Sequence, residues 1–536
     1  MPGNRRNGGR ALFEALVAAG IDTCFANPGT SEMQLIYESG LSDDMQPYLC
    51  LQENVATGAA DGYNRMTGRP ALALLHMGAG LANGLANLHN ARKAGSGMVV
   101  LVGDNADFQF RDVEHGMLTP IAHLAAAVSD FVKTTQSADD LAVAAAQAAR
   151  VAKSGQGKIA TIVSPTNHHW EPATVAVSEG EEQPVFALAE QAIEKIRACL
   201  TNGKRTAIVL DKRTSVDGLE TAGKIAARTG AHLMVPTFFA RLPRGEGRVV
   251  VEPIPYLPEH AVERLKEFEQ MILLGTKYPT TTFAYEGRPI VKVPDGCDVI
   301  TMGTDDVDTL AALNALCTAL GADDESGAIR YQRVDIAPPS GELNAVSLAQ
   351  SLTGLLPSGC IVVDESATLG LALLPQTAGA APHDWLLNPA GGAIGAGLPV
   401  ALGAAVACRD RKVIALQADG SGMYTPQALW SIARDDLDVT VVILRNDRYA
   451  ILEVELARVR QTAANDKMMS MLELNRPTLD WVQIAGGMGI EATSASTAEA
   501  FHEQLETALA HKGPRLIEAC AAQDLSPFVN LVSGGR

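Results

Sequence analysis

The amino-acid sequence predicts an α/β protein made of three doubly wound parallel-sheet domains. Its 536 residues are too many for a single hydrophobic core. Short apolar runs, typical of buried parallel strands, alternate with helical segments along nearly the whole chain. A polar, acidic stretch at 178–184 and a Pro/Gly-rich stretch at 336–344 interrupt this alternation and are expected to be linkers. We therefore expect domains at residues 1–175, 186–335 and 345–536.

The elements of the first domain follow from this alternation. Helices are expected at 10–20, 54–68 and 79–95, and strands within 22–30, 48–51, 70–78, 97–104 and 158–167. In the second domain the expected strands are 206–211, 232–237, 270–276 and 289–294. The third domain begins with a helix at 345–356 and contains strands within 360–366, 411–422 and 438–447.

The composition argues against several classes of protein. A net charge of −18 disfavours a general nucleic-acid or anionic-membrane binder, since either needs a basic face. The eight cysteines form no C-x-x-C pair, which predicts reduced thiols. The N-terminus does not read as a signal peptide, and the longest nearly apolar run, 393–408, is too short for a membrane helix. We expect a cytoplasmic protein with no nucleic-acid partner and no membrane segment.

Two polar residues follow neighbouring strands of the third domain. Asp419 ends the apolar run 412–417, and Asn446 ends the run 439–445. The carboxyl ends of strands are where parallel sheets place ligands, and both side chains offer the oxygens that Mg²⁺ prefers. Gly420, Ser421 and Gly422 would let the backbone approach a phosphate at a helix start. An isolated D-G-S is more often a simple turn, but its pairing with Asn446, 27 positions downstream, favours a magnesium–phosphate site.

A second charged residue stands where burial is expected. Glu53 follows the apolar run 48–51 and opens a segment rich in Ala and Gly. A carboxylate there is costly unless something compensates it. One interpretation is a residue at a helix N-terminus, stabilised by the helix dipole. The other is a carboxylate that meets a bound ligand.

Several motifs together resemble one family of enzymes. They are FANPGTSE (25–32), the long segment 51–92, NPAGGAIGAGLPVALGAAVA (388–407) and the D-G-S motif with its downstream Asn. In this order they resemble the thiamine diphosphate enzymes, specifically the 2-oxo-acid decarboxylase and acetolactate synthase superfamily. The resemblance covers nearly the whole chain. It implies a pyrimidine-binding, a middle and a diphosphate-binding domain, with thiamine diphosphate and Mg²⁺ as cofactors.

The resemblance also implies roles for particular residues. The metal would be held by the side chains of Asp419 and Asn446 and the backbone carbonyl of Arg448. The diphosphate and its surroundings would be contacted by Gly420, Ser421, Tyr424, Tyr449 and Thr368. Ile394 matches the residue that holds the cofactor bent, and the Gly392 carbonyl would accept a hydrogen bond from its 4′-amino group. Glu53 matches the carboxylate that contacts N1′ of the aminopyrimidine.

Two positions depart from the family pattern. Ala418 stands where the family usually has the first Gly of G-D-G, and Arg445 stands where it usually has the first Asn of N-N. Neither change removes a metal ligand, so cofactor binding is still expected. In this family the catalytic Glu and the metal site come from different subunits. A homodimer or homotetramer with active sites at the subunit interface is therefore implied.

His76 and Asn83 are the residues that should distinguish branches of the family. Acetolactate synthases carry a small hydroxyl residue at the position of His76, whereas the benzoylformate decarboxylase branch has a His. Such a His can orient a substrate carboxylate or relay protons. Taken alone, a His at a strand end is more often structural.

Other segments point away from an aryl substrate. The segment 275–287 lacks the second catalytic His of the benzoylformate decarboxylase branch, and Thr281 and Thr282 are its nearest polar candidates. Glu453 and Glu455 stand where an aryl pocket would need apolar residues, so a small or polar 2-oxo acid is favoured. The segment 104–116 resembles a loop at the active-site entrance, with Gln109 and His115 as candidates.

The sequence therefore predicts non-oxidative decarboxylation of a 2-oxo acid, and leaves open whether carboligation follows. A nucleotide-dependent dehydrogenase is disfavoured because GAGLANG (78–84) lacks the third Gly of a dinucleotide motif. An inactive, regulatory homologue is disfavoured because such a protein could lose Glu53 without losing the fold, whereas this chain retains it. An aryl 2-oxo-acid decarboxylase is the alternative enzyme, and FAD in the middle domain stays open.

Overall fold

The computed structural model describes residues 6–108, 119–176, 188–284, 286, 290–303, 307–387, 391–459, 464–522 and 525. Its contacts divide the chain into two compact units. The first consists of Met1–Val185, Pro389–Asp410 and Thr425–Leu437, and the second of Phe186–Asn388, Arg411–Tyr424 and Asp438–Arg536. Two segments of the predicted third domain thus belong to the first unit.

The strands of the described residues are, in chain order, β1 (Thr23–Asn27), β2 (Gln46–Leu49), β3 (Ala71–Leu75), β4 (Met98–Asp104), β5 (Phe131–Thr134), β6 (Ile159–Pro165), β7 (Thr206–Val209), β8 (His232–Val235), β9 (Leu242–Arg244), β10 (Glu252–Pro253), β11 (Gln270–Leu274), β12 (Asp298–Met302), β13 (Ile361–Glu365), β14 (His383–Leu387), β15 (Val413–Ala418), β16 (Val439–Arg445), β17 (Glu491–Ala495) and β18 (Arg515–Cys520).

The helices are α1 (Gly8–Ala18), α2 (Met33–Ser39), α3 (Glu53–Thr67), α4 (Met77–Ala94), α5 (Ile121–Ala126), α6 (Ala138–Lys153), α7 (Asn167–Trp170), α8 (Glu190–Leu200), α9 (Val216–Thr229), α10 (Pro258–Leu265), α11 (Thr309–Ala319), α12 (Ala345–Leu355), α13 (Gly370–Gln376), α14 (Gly397–Ala407), α15 (Asp419–Gly422), α16 (Gln427–Arg434), α17 (Ala450–Val459), α18 (Asp466–Met469), α19 (Trp481–Gly487) and α20 (Ala498–Ala510). Short 3₁₀ turns cover Thr30–Glu32 and Thr377–Gly379.

The first unit contains a six-stranded sheet in the order β2-β1-β3-β4-β6-β5, and every pairing in it is parallel. β3 is buried at all five of its residues, as its continuous apolar sequence predicts. Helix α3 begins where the side chain of Gln52 accepts hydrogen bonds from the N–H groups of Asn54 and Val55. It ends at Gly68, whose φ of 71° lies in the left-handed region. Glycine adopts this conformation at helix ends more readily than residues with a side chain.

Glycines bring α3 and α14 into backbone contact within the first unit. A Cβ added to Gly62 would lie 2.1 Å from the carbonyl oxygen of Val400, and one added to Gly403 would lie 1.8 Å from that of Ala59. No larger residue fits at either position without moving a helix. The Ala- and Gly-rich composition of both segments is therefore a packing requirement of this helix pair.

The second unit contains a five-stranded parallel sheet in the order β10-β8-β7-β11-β12. The prediction of a strand at 289–294 is wrong for residues 290–294, which the structure describes. They form no strand and make only an isolated bridge, between Val291 and Thr280. Strand β12, which was not predicted, takes the sheet edge beside β11 instead. Four of its five residues are exposed or half-buried, so it lacks the apolar run by which a buried strand is recognised.

A seven-stranded sheet completes the second unit, in the order β17-β18-β16-β15-β13-β14-β9. All pairs are parallel except that of β14 with β9, a strand from the middle of the chain. β13, β15 and β16 form where the apolar runs predicted them. The predicted fold class, several parallel-sheet α/β domains, is confirmed. None of the described helices has the length and apolar character to cross a membrane.

Candidate active site

Glu53 is the first residue of α3, and only 8% of it is exposed. Its carboxylate Oε2 accepts a hydrogen bond of 3.0 Å from the Nδ2 of Asn83 on α4. Gly80, one turn earlier on α4, leaves room for the carboxylate, since a Cβ there would lie 2.8 Å from Oε1. Within the described ranges no Lys, Arg or His pairs with this buried charge. The structure thus brings together two of the predicted catalytic residues, Glu53 and Asn83.

His76 lies at the end of β3 and is held through its Nδ1 atom. That nitrogen is 2.8 Å from Oε2 of Glu32 and 3.1 Å from the hydroxyl of Ser31. Glu32 is fully buried, and it also accepts hydrogen bonds from the Gly29 N–H and the Ser31 hydroxyl. A carboxylate at Nδ1 favours the tautomer with its proton on that atom. Nε2 is then the nitrogen that can accept a proton.

Two glycines make this arrangement around His76 sterically allowed. A Cβ on Gly29 would lie 2.2 Å from Nδ1 of His76, and a Cβ on Gly103 would lie 1.8 Å from Oε1 of Glu32. The motif NPGTSE is thus the part of the chain that holds His76 in place. The sequence alone does not predict this role of Glu32, because nothing in it connects Glu32 to a residue 44 positions away.

The segment carrying Gly392 and Ile394 is bonded to side chains of α4. Asn90 donates to the carbonyl of Ala393 over 2.8 Å and accepts from its N–H over 3.2 Å. His89 contacts the carbonyl of Gly391 over 3.0 Å. Gly392 has a φ of 79°, which disfavours any side chain there, and Ile394 is half-buried. The sequence did not predict these contacts of Asn90 and His89, although both residues lie in the family-like segment 51–92.

In the second unit, Asp419 and Asn446 meet as the strand order predicts. Asp419 follows β15, and its Oδ2 accepts from the N–H groups of Asn446, at 3.1 Å, and Asp447, at 2.8 Å. Its Oδ1 accepts from the N–H of Gly420 at 2.8 Å. Burial nevertheless raises the pKa of Asp419, outweighing these three donors. The amide oxygen of Asn446 accepts from the N–H of Arg448 at 3.2 Å.

The turn 446–448 is also held from the other side. Leu474 donates its N–H to the carbonyl of Asp447 over 2.7 Å, and the carbonyl of Leu472 accepts from the N–H of Tyr449 over 2.8 Å. These two bonds flank Arg448, whose carbonyl is a predicted metal ligand. Asp447 has a φ of 56°, an uncommon and strained value for a residue with a side chain.

Backbone strain of this kind recurs beside predicted site residues. Positive φ values also occur at Met77, next to His76, and at Ala367, next to Thr368. Of the four non-glycine residues with positive φ in the described ranges, these two and Asp447 adjoin the candidate site. Thr368 itself is buried, with 5% exposed. No hydrogen bond among the described residues joins it to the turn at Asp419.

The remaining predicted cofactor contacts surround Asp419. Gly420 allows the ring of Tyr449 to approach, since a Cβ there would lie 2.6 Å from Cε1 of the tyrosine. Burial, and secondarily Tyr424, raises the pKa of the Tyr449 hydroxyl. Tyr424 is 54% exposed, which leaves its ring accessible to a ligand or a partner. Ser421 is buried, and its hydroxyl accepts from Nε2 of Gln417 over 2.5 Å.

The first departure from the family pattern has no structural cost. Ala418 has φ −70° and ψ 147°, ordinary extended values that any residue adopts, so no glycine is required there.

The residues that bear on substrate choice are paired with arginines or exposed. Glu453 lies 3.4 Å from the guanidinium of Arg448, and Glu455 lies 3.3 Å from that of Arg458. The hydroxyl of Thr281 donates to the carbonyl of Phe283 in an exposed segment. Gln109 and His115 lie outside the described residues.

Comparison with known families gives two matches. The family model described as the N-terminal TPP binding domain of thiamine pyrophosphate enzymes matches residues 6–127. The corresponding C-terminal TPP binding domain matches residues 372–519. The first match contains Glu53 and His76, and the second contains Asp419 and Asn446.

Individual relatives cover nearly the whole chain. IlvX of Mycobacterium tuberculosis, whose name places it with acetolactate synthase large subunits, is 42% identical over 96% of this chain and 98% of its own. Benzoylformate decarboxylase of Pseudomonas aeruginosa is 27% identical over 95% of this chain and 97% of its own. The solved thiamine diphosphate-dependent 4-hydroxybenzoylformate decarboxylase of Rhodococcus jostii RHA1 aligns with a TM-score of 0.84 at 24% identity, covering 97% of this chain and 99% of that one. This structural likeness supports the fold.

Proposed function

The chain belongs to the thiamine pyrophosphate enzyme family, among relatives named as acetolactate synthases and benzoylformate decarboxylases, and from this we propose that it decarboxylates a 2-oxo acid using thiamine diphosphate and Mg²⁺. The observation that carries the proposal is the buried carboxylate of Glu53, which has Asn83 as a hydrogen-bond donor and no cation among the described residues. Such a group suits a nitrogen heterocycle that shares a proton with it.

The residues around Asp419 fit a magnesium ion bound to a diphosphate. The carboxylate of Asp419 and the amide oxygen of Asn446 lie at the ends of the neighbouring strands β15 and β16, and both are hard donors of the kind Mg²⁺ takes. Backbone N–H groups already hold Asp419 in one orientation, so little rearrangement is needed to bind. We assign the metal to Asp419, Asn446 and the Arg448 carbonyl, with Gly420, Ser421, Tyr424, Tyr449 and Thr368 around the diphosphate.

The residues around Glu53 fit the aminopyrimidine. We assign Glu53 to N1′, with Asn83 keeping its carboxylate in place, and the Gly392 carbonyl and Ile394 to the other side of the ring. The left-handed backbone at Gly392 is held by Asn90 through Ala393, which suits a carbonyl that must keep one direction. Bound thiamine diphosphate supplies the electron sink on which CO₂ is lost.

His76 is assigned to the substrate. Glu32 holds its Nδ1, so Nε2 can accept a hydrogen bond or a proton, or donate one once protonated. A group of this kind can orient the substrate carboxylate and return a proton after CO₂ leaves. The carboxylates of Glu453 and Glu455, each near an arginine, support a small or polar 2-oxo acid over an aryl one.

The test is a CO₂-release screen across small, polar and aryl 2-oxo acids with Mg²⁺ and thiamine diphosphate, with the products analysed for carboligation. We expect turnover of small or polar acids. Selective turnover of benzoylformate would instead favour the aryl decarboxylase, and acetolactate as product would identify a synthase. Cofactor binding without CO₂ from any acid would indicate an inactive homologue.

Glu53→Gln and Asp419→Ala separate the two halves of the proposed site. Glu53→Gln should bind Mg²⁺ and thiamine diphosphate yet lose decarboxylation by about 100-fold or more, because the amide cannot share the proton. Asp419→Ala should lose the increase in melting temperature that the cofactors produce. Near-normal turnover by Glu53→Gln, or an unchanged melting shift in Asp419→Ala, would contradict these assignments.

A further inference from the structure

Arg445, the second departure from the family pattern, is the last residue of β16 and immediately precedes Asn446. Its Nη1 lies 3.1 Å from Oε2 of Glu518 on the neighbouring strand β18. Its Nε lies 3.3 Å from Oδ1 of Asp447, in the turn that carries the proposed metal ligands. The Arg445 guanidinium therefore connects strand β18 to that turn.

Glu518 is a fixed anchor for this connection. It is 4% exposed, and its carboxylate also accepts from the N–H of Trp481, at 3.3 Å, and from the hydroxyl of Ser494, at 2.9 Å. These contacts tie it to the start of α19 and to β17. A carboxylate so buried is stable only with a charged partner or several donors, and Arg445 provides the charge.

Asp447 is the part of the turn that needs support. Its positive φ is strained, and its N–H donates to the Asp419 oxygen that also accepts from Asn446. Its side chain adds a second carboxylate beside Asp419. The Arg445 guanidinium offsets that charge and restrains the strained residue at its side chain.

We propose that Arg445 is a positioning residue for the Mg²⁺–diphosphate site: by bridging Glu518 and Asp447 it holds the turn 446–448 in the conformation that binds the metal. This inference rests on the proposed function, since it concerns the same metal. The guanidinium acts through Asp447 and does not itself touch the ion. The chain thus uses an ion pair across two strands at a position where the family usually has an asparagine.

The test measures the affinity of the full-length protein for Mg²⁺ at saturating thiamine diphosphate, by calorimetry, for wild type and variants. Arg445→Met should weaken Mg²⁺ binding about 10-fold or more, the usual effect of removing a group that orients a metal ligand. Arg445→Lys should recover part of the affinity. Asp447→Asn, which cuts the bridge at its other end, should weaken binding similarly, and the double variant should be little worse than either single one.

Two further variants make the result interpretable. Arg445→Met/Glu518→Gln removes the unpaired buried charge, so it keeps the experiment valid where Arg445→Met folds poorly, and it should still bind Mg²⁺ weakly. Arg515→Met is the matched control, because Arg515 lies on the neighbouring strand β18 and pairs with the exposed Glu491 instead of the turn 446–448. Its Mg²⁺ affinity should equal that of wild type.

The outcomes distinguish this inference from the proposed function. Wild type that fails to bind Mg²⁺ with thiamine diphosphate overturns both. Wild-type binding together with unchanged Mg²⁺ affinity in Arg445→Met/Glu518→Gln and Asp447→Asn overturns only the role of Arg445. Additive losses in the double variant Arg445→Met/Asp447→Asn would also overturn it, because the two residues would then act separately.

Discussion

Glu32 is the residue that determines how His76 can act. Its side chain is fully buried, and its two carboxylate oxygens accept hydrogen bonds from the Gly29 N–H, the Ser31 hydroxyl and the imidazole of His76. A ring held by a fixed carboxylate at Nδ1 presents Nε2 in one direction. The proton chemistry that we assign to His76 therefore depends on a side chain that need not touch the substrate.

Glu32→Gln should lower the rate of decarboxylation by about 10-fold or more while leaving thiamine diphosphate affinity unchanged, because the amide cannot hold the imidazole through a charged hydrogen bond. Steady-state kinetics and a binding titration measure the two effects. Glu38→Gln is the control, since Glu38 is also buried but bonds to Asn7 and Gln34. Equal losses in both variants would mean that Glu32 serves only the fold.

Lys292 is a buried ammonium group that contacts no carboxylate among the residues that the structure describes. It is 3% exposed, and its Nζ donates to the hydroxyl of Thr237 and the carbonyl of Pro255, each at 2.9 Å. Burial lowers its pKa from 10.5 to about 8. Below pH 8 both the folded and the unfolded chain carry the proton, and the folded state bears the full cost of burying the charge.

That cost should fall as the pH rises from about 8 toward 10.5, because the unfolded chain then holds more protons than the folded one. Wild type should therefore gain melting temperature relative to Lys292→Met between pH 7 and pH 9.5. The exposed Lys204, whose pKa is raised by Asp298, supplies the control variant Lys204→Met, whose difference from wild type should not change over this range. A constant gap between wild type and Lys292→Met would refute the assignment.

At the scale of elements, the contact between α3 and α14 explains why two segments of the sequence are so rich in small residues. Gly58 lies against Pro399, Gly62 against Val400 and Gly403 against Ala59, each too closely for a side chain. Glu53 begins α3, so this packing also determines where the carboxylate that we propose to be catalytic lies within the first unit.

Gly403→Ala should destabilise the protein by about 1–3 kcal/mol, since its methyl group would lie 1.8 Å from the carbonyl oxygen of Ala59. The urea midpoint measures this. Gly486→Ala in α19 is the matched control, because no atom lies within 4 Å of the added Cβ there. That variant should be neutral or gain up to about 1 kcal/mol. A Gly403→Ala variant as stable as wild type would show that the helix pair tolerates separation.

At the scale of the whole molecule, the two halves of the proposed site belong to different compact units, with Glu53 in the first and Asp419 in the second. We propose, from the family resemblance, that Glu53 of one subunit acts with the metal turn of its neighbour in a homo-oligomer. Each subunit would then be inactive without a partner, whatever its own stability.

Mixing subunits tests this arrangement. Glu53→Gln and Asp419→Ala should each be inactive alone, yet after co-refolding in equal amounts they should recover about a quarter of wild-type activity. Half of the random dimers are mixed, and each mixed dimer carries one intact site. Recovery is measured as CO₂ release from the accepted 2-oxo acid. No recovery from dimers shown to be mixed would place both residues of a site in the same subunit.

The sequence by itself determined the fold class and the positions of the strongest candidate residues. Continuous apolar runs predicted most of the central strands, because buried parallel strands consist of such runs. The strand order alone placed Asp419 and Asn446, which follow two of these strands, at one edge of the sheet. The edge strand β12 escaped prediction because only one of its five residues is buried. The family resemblance added a catalytic role for Glu53, and that role stays a prediction.

Only the tertiary structure decided which side chains meet. Asn83 contacts Glu53 from another helix, Asn90 bonds to a segment 303 positions away, and Glu32 reaches His76 across 44. Likewise, Arg445 forms an ion pair with Glu518 because β16 and β18 are neighbours in the sheet. Secondary structure follows from local patterns, but a side-chain partner is selected by the packing of elements far apart in the chain, and no local pattern encodes that choice.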